Sequence, residues 1–286
     1  MTKRSVLCVL AGIFLFFQGV SEASTLRINQ SKVRAIVPPG GAKSGVIQVE
    51  NSSDSVVKVK AYLEDWVYNE AACDGTKKFF PSGTISGSAS PWISFSPSDF
   101  TLAPFGKQTV NYKIAVPSNA QGGHYSVLFF ESSFGDQGAD EGVGMNLVVR
   151  IGTLFYIEPE GTVNREAEIN NIVFQKKDKG LIITADFKNT GNVDITCSGT
   201  FHVMDDQGMV LARNEFNKVF TFSGNMAKLT AVTKSALPQG TFWAVLTFDL
   251  GKALEEANLG RGPIITKEFE IQVNDKGEII SAKENK

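Results

Sequence analysis

Apolar and polar residues alternate along most of this chain with a period of two. Val46-Ile47-Gln48-Val49-Glu50, Val57-Lys58-Val59-Lys60-Ala61-Tyr62 and Val110-Asn111-Tyr112-Lys113-Ile114 each read as a strand with one face buried and the other in water. Tyr125 to Phe130 is more continuously apolar, the pattern of a central strand covered on both sides. Between the runs lie turn clusters, Pro38-Pro39-Gly40-Gly41, Asn51-Ser52-Ser53-Asp54 and Gln121-Gly122-Gly123. Strands at short regular spacing, separated by turns of this kind, predict antiparallel sandwiches and argue against βαβ units.

Pro159-Glu160-Gly161 interrupts the chain near its middle, and the same grammar then restarts. Strands are predicted at Ile169 to Phe174, Leu181 to Phe187, Gly199 to Met204, Met209 to Ala212, Lys218 to Phe222, Ala227 to Thr233, Phe242 to Phe248 and Ile264 to Val273. That is the strand complement of an immunoglobulin-like sandwich. The fold class is therefore all-β, with two tandem immunoglobulin-like β-sandwich domains at 24–159 and 160–275 and a flexible tail at 276–286. Three segments depart from the pattern. Asn69 to Ser90 is rich in glycine and serine, Gly135 to Gly144 is glycine-rich and acidic, and Lys252 to Leu259 has the composition of one short helix stopped by Gly260.

The first residues change the picture from a generic fold to an exported one. Lys3 and Arg4 precede an apolar run from Val6 to Val20, and Ser21-Glu22-Ala23 ends in the small-x-small pattern of a signal-peptidase site. Residues 1–23 are accordingly expected to be a cleaved signal peptide, because the run is shorter than the roughly 20 residues needed to span a bilayer as an uncleaved anchor. No later segment is long and apolar enough to cross a membrane, so the mature chain is expected in the periplasm or outside the cell. About 260 residues remain, which fits two domains of ordinary size. Loss of Lys3, Arg4 and Glu22 moves the formal charge from -2 to -3, a nearly balanced surface with no electrostatic reason to bind nucleic acid or an anionic membrane. Cys8 leaves with the signal peptide, and the distant Cys73 and Cys197 read as two separate thiols, although one bridge between domains stays possible.

Catalytic chemistry finds little support. The two histidines, His124 and His202, fall in different domains without visible partners, and they read as strand histidines. There is no strand–Gly-x-Ser-x-Gly–helix elbow, His-Glu-x-x-His or phosphate-cradling glycine motif, and Asp136, Asp140 and Glu141 miss the spacing of a calcium loop. The expectation is a protein that is not an enzyme and needs no cofactor or metal. A hydrolase with clustered carboxylates and a surface module binding polysaccharide or cell wall are the alternatives. For the second, Trp66, Trp92 and Trp243 are the candidate platforms.

Five fragments of the first domain come in an order that resembles the periplasmic pilus-assembly chaperones, the PapD-like family. They are Val33-Arg34-Ala35, Ile47-Gln48-Val49-Glu50-Asn51, Phe100-Thr101-Leu102-Ala103-Pro104 with Gly106 to Ile114, Tyr125 to Glu131, and Leu147 to Pro159 with Leu154-Phe155-Tyr156. The second domain is similar to a generic bacterial immunoglobulin-like module, carried by Phe187-Lys188-Asn189-Thr190-Gly191-Asn192. The resemblance implies a client protein, an exported subunit or surface protein, that adds a strand to the last strand of domain one. It also implies a cleft arginine and lysine that hold the client's terminal carboxylate. Arg34 matches that arginine by its neighbours, whereas Thr153 stands at the lysine's place and Arg150 lies an odd number of residues away, on the other strand face. The expected client-binding residues are Arg34 and the apolar row Met145, Leu147, Val149 and Ile151. The alternatives are a buried or interdomain ion pair for Arg34, and a row that fills the domain's own core.

Overall fold

The period-two runs become two-layered sandwiches in the computed structural model, which describes residues 26–134, 147–178, 180–234 and 236–285. The expected signal peptide, the glycine-rich acidic 135–144 segment and Met145 lie outside those residues. Domain one consists of β1 (Leu26–Ile28), β2 (Lys32–Val37), β3 (Ala42–Asn51), β4 (Val57–Tyr68), β5 (Lys77–Pro81), β6 (Ile93–Ser96), β7 (Asp99–Leu102), β8 (Lys107–Ala115), β9 (His124–Phe134) and β10 (Leu147–Pro159). Its sheets run β1-β3-β8-β6 and β2-β10-β9-β4-β5, with β7 also paired to β4. In β8 the alternation is complete: Val110, Tyr112 and Ile114 are buried and the residues between them are exposed. These side chains meet Leu128 and Phe130 of β9 and Phe155 and Ile157 of β10 in one core.

Domain two consists of β11 (Ala167–Lys177), β12 (Gly180–Asn189), β13 (Ile195–Met204), β14 (Val210–Glu215), β15 (Val219–Thr221), β16 (Met226–Val232), β17 (Gly240–Asp249), β18 (Ile264–Val273) and β19 (Ile279–Asn285). A three-stranded sheet β11-β12-β16 packs on β14-β13-β17-β18-β19, with β15 added to β13. Phe187, Phe201, Phe248 and Ile271 are fully buried between them. The expected helix is present but short, α1 (Lys252–Glu256). No helix among the described residues is long and apolar enough to cross a membrane.

Two local devices recur. Asn51 and Asn189 each end a ten-residue strand, fully buried, and each folds the following loop onto itself. The Asn51 amide donates to the carbonyls of Ser55 and Ala103 and its oxygen accepts from the Ser53 N–H; Asn189 donates to Val193 O and accepts from the Gly191 N–H. Buried amide groups must be paired, so each asparagine specifies its loop. The glycine- and serine-rich 69–90 segment is ordered by Asp65. This buried carboxylate accepts hydrogen bonds from the hydroxyls of Ser88 and Ser90, both 2.6 Å, and from the Thr84 N–H at 2.9 Å.

One expectation needs correcting. Residues 276–286 were expected to be a flexible tail, yet Ile279–Asn285 form β19, antiparallel to β18 through a turn at Asn274–Glu278. The charged composition suits an edge strand whose outer side meets water, and Ile279 rests on the domain core. Deleting residues 276–286 should therefore lower the melting temperature of domain two by roughly 4 °C or more, the equivalent of about 1 kcal/mol in a domain this size. An unchanged transition in calorimetry would mean that β19 contributes nothing.

Candidate functional site

The first strand changes sheets midway. β1 pairs with β3 only at Leu26–Ile28, and after a short crossing β2 pairs with β10, in parallel, only from Leu154 to Pro159. β10 is paired to β9 along Leu147–Ile157. Its other side, from Leu147 to Thr153, has no strand partner among the described residues. The Leu154 N–H donates across the lane to Ser31 O. Backbone groups of alternate residues point the same way in a strand, so Val148, Arg150 and Gly152 direct their N–H and C=O groups into the vacant part of this lane.

The expected apolar row sits beside that lane. Val149 and Ile151 are half-buried, and Ile151 packs on the core of its own domain. Leu147 heads the strand, and Met145 lies outside the described residues. Thr153 is fully buried on the same inward face and its hydroxyl donates to Gln30 O at 2.6 Å. The opposite, outward face carries Val148, Arg150, Leu154, Tyr156 and Glu158. Arg150 lies over the Phe129 ring, 4.3 Å from its centroid, and pairs with Glu64 at 3.2 Å.

Arg34 lies in β2 on this outward face, beside Tyr156, and its guanidinium is engaged inside the molecule. It forks onto Asp194 of domain two, Nη1 to Oδ1 at 3.1 Å and Nη2 to Oδ2 at 2.6 Å, and Nη1 also donates to Glu158 at 2.5 Å. Arg165 donates to the same Glu158 oxygen at 2.6 Å. Side chains of Arg34 and Asp194 are 2% and 0% exposed. Burial alone would lower the Arg34 pKa; the charge and hydrogen bonds of Asp194, then Glu158, outweigh it and hold the cation firmly ionised. The Tyr125 hydroxyl accepts from the Asp194 N–H at 2.6 Å, fixing the carboxylate's backbone. This is the interdomain ion-pair arrangement among the alternatives for Arg34. The Nε–H of Arg34 has no hydrogen-bond partner.

Around the ion pairs an aromatic cluster joins the domains. Trp66, Tyr68, Tyr125 and Tyr156 of domain one pack on Phe220 and Phe222 of domain two, with Trp66 and Tyr156 centroids 5.0 Å apart and Tyr125 and Phe222 centroids 4.4 Å apart. Burial pushes the Tyr156 phenol up to about 12. At the junction Gly122 has left-handed geometry (φ 72°), and a Cβ there would lie 2.6 Å from Asn192 O, so only glycine allows this approach.

The remaining candidates separate. His124 stacks on Trp92 at 3.9 Å, while His202 is in β13 of the other domain. Burial lowers the His124 pKa, against a weak hydrogen bond to Gly122 O. Trp66 is fully buried and Trp243 is 40% exposed on the sheet surface of domain two. Cys73 and Cys197 are both free thiols, and burial pushes the Cys197 thiol up to about 12. Among the described residues no group of three His, Cys, Asp or Glu side chains could hold a metal ion. Asp194, Glu158, Arg165 and Tyr125 were not candidates in the sequence, because no local motif marks them and only the fold brings them to Arg34.

No protein family model and no curated protein matches the chain. Among solved structures it is similar to the class 5 fimbriae chaperone CfaA, at 12% identity and TM-score 0.49, covering 84% of this chain and 98% of that one. It is also similar to the Salmonella enterica SafA pilin–SafB chaperone structure, at 9% identity and TM-score 0.40, covering 84% and 94%, and to the E. coli chaperone DraB, at 11% and 0.38, covering 91% and 95%.

Removing one member of a buried ion pair strands the other, at a cost of about 3–5 kcal/mol. Arg34→Ala should therefore destabilise the chain by that amount in denaturant unfolding. Arg34→Met combined with Asp194→Leu, which leaves the Glu158–Arg165 pair intact, should recover most of the loss. A single variant as stable as the wild type would show that the fork does not hold the domains together.

Proposed function

We propose that this chain is a non-enzymatic, exported chaperone-like or adaptor protein that binds an extended segment of a client protein along the free half of β10. The observation that carries the reading is the unpaired lane beside Leu147–Thr153, with Val148 51% exposed and Val149 and Ile151 only half covered. A strand edge of this length, with apolar side chains on it, presents a row of unpaired backbone donors and acceptors and favours strand addition. Backbone pairing would give affinity, and the half-buried Val149 and Ile151, facing the gap between the sheets, would meet alternate side chains of the guest. The resemblance of the five ordered fragments to pilus-assembly chaperones makes an exported pilus or surface subunit the client class that fits best.

The test is hydrogen exchange with and without an extended guest peptide of alternating valine and threonine. In the free protein the N–H groups of Val148, Arg150 and Gly152 should exchange fast and those of Val149 and Ile151, which face β9, slowly. On binding, the first set should become protected. Val148→Pro removes one lane-facing donor and no bond to β9, so it should leave stability nearly unchanged and weaken guest binding about tenfold, one hydrogen bond's worth at roughly 1.4 kcal/mol. If peptide never protects these amides, the chain does not work by strand addition.

A further inference from the structure

A cavity of about 530 Å³ opens where β4, β9 and the 84–88 turn of domain one face two turns of domain two. That is the size of a small-molecule site, and junctions between domains are a common place for one. Its walls are fixed by bonds already made. Asp65 holds the 84–88 turn at both ends, through the Thr84 N–H and the Ser88 hydroxyl, and the Tyr125 N–H donates to Gly87 O at 2.9 Å. On the domain-two side, Asn192 O accepts from the Gly123 N–H at 2.9 Å, and the Asn225 side-chain oxygen closes its turn by accepting from the Phe222 N–H. The cavity is therefore built before any ligand arrives. No residue of β10 lines it, so it is separate from the strand-addition lane.

The lining carries a negative charge without a cation. Glu70, just beyond β4, has no ion-pair partner among the described residues, and no described lysine or arginine lines the cavity. One Glu70 oxygen accepts from Asn225 Nδ2 at 2.9 Å, which leaves the other open. The neighbouring donors are already engaged: Asn192 Nδ2 donates to Thr162 O, and the Ser223 hydroxyl to Gly191 O. His124 is held against Trp92, and burial lowers its pKa, so the imidazole is uncharged at neutral pH. With its proton on Nδ1, shared with Gly122 O, its Nε2 is a lone-pair acceptor. Among the lining side chains Gln121 and Ser86, both exposed, keep free donors. Tyr125 and Phe222, with centroids 4.4 Å apart, add aromatic faces. An open carboxylate oxygen, acceptors and aromatic rings together suit a positively charged donor.

We propose that this cavity binds an organic cation, an ammonium group carried on an apolar body, with Glu70 as the counter-ion and the body against Tyr125 and Phe222. The site goes beyond the strand-addition reading and does not rest on it. A free aromatic amine and a lysine side chain present the same chemistry, and the test separates them. Because the lining comes from both domains, an occupant also ties Glu70 and Tyr125 of one to Phe222 of the other.

Tryptamine, tryptophol and indole-3-acetate share one ring system and end in a cation, a neutral hydroxyl or an anion. In an NMR titration of the mature protein, tryptamine should shift the amides of Gly87, Gly123, Val193 and Ser223. It should bind about tenfold tighter than tryptophol, the strength of a charge-assisted hydrogen bond, and indole-3-acetate should bind more weakly than either. Glu70→Gln keeps an oxygen for Asn225 Nδ2 and removes the charge, so in that variant tryptamine should fall to tryptophol's affinity while the melting temperature stays unchanged. Ser86→Trp, at an exposed rim position, should fill the opening and abolish binding of all three. The peptide acetyl-Gly-Lys-Gly-amide separates the sources. If it shifts the same amides and loses the effect in Glu70→Gln, the site takes lysine side chains; if tryptamine alone binds, it takes a free aromatic amine. Equal affinity for tryptamine and tryptophol, a preference that survives Glu70→Gln, binding that survives Ser86→Trp, or shifts confined to other residues overturns the proposal. Each of those results leaves protection of the β10 amides by a guest strand as a separate question with its own answer.

Discussion

The two domains depend on one buried contact, the fork of Arg34 on Asp194. It is made between residues 160 positions apart, one in the second strand of domain one and the other just before β13 of domain two. Taking charges out of water is costly, and attraction inside a protein compensates only when geometry is good and the remaining donors and acceptors are paired. Here Glu158, Arg165 and the Tyr125 hydroxyl supply most of those partners, leaving the Arg34 Nε–H without one. The contact also decides which surface of domain one is covered. Domain two is drawn onto the outer face of the sheet that holds β2, β10, β9 and β4, where the aromatic cluster gathers. β9 then has Leu128 and Phe130 in the sandwich core and Tyr125, Val127 and Phe129 in the cluster. Its continuous apolar run follows from being buried on two sides.

The free edge has a topological cause. A single strand cannot cover the edges of both sheets along their whole length, and the chain divides it into β1 on one sheet and β2 on the other. Each sheet is left with half an edge. On the β10 side that half is Leu147–Thr153, beyond the reach of β2. Among the described residues no strand closes the gap at this place, and inward-facing Val149 and Ile151 stay half covered. Soluble proteins normally guard such edges with charges, prolines or covering segments. Arg150 is the one charged side chain on this stretch, and it leans over Phe129 on the outer face, away from the lane's inward side.

What the sequence made legible was whatever repeats with a local period. The strands of domain one, the restart after Pro159, the central position of β9 and the short helix all follow from alternation, turns and a glycine stop. β19 was missed because an exposed edge strand pairs along only one side and can be charged almost throughout, so its composition resembles that of a tail. The Asp65 anchor was missed for another reason: its hydroxyl and N–H partners lie 19 to 25 residues away in a segment without periodicity. The same limit applied at the site. Arg34 could be singled out by its neighbours, but Asp194 could not, since nothing local to either residue records the other. The ion pair between them became visible only when the fold placed them together.

Strand parity limits which positions of β10 can carry a charge. Position 153 faces inward, and Thr153 is fully buried there with its hydroxyl on Gln30 O. A lysine in its place would have to bury an ammonium group among apolar side chains, at a large desolvation cost. The outward face offers Arg34, Lys32 and Arg150 along the same side of the sheet, but Arg34 is committed to Asp194 and Arg150 to Glu64. Lys32 and Lys77 lie over the rings of Tyr156 and Trp66 from opposite edges of the sheet. Charge balance suits the quartet of Arg34, Arg165, Asp194 and Glu158 to burial between the domains, because its charges sum to zero where water is excluded.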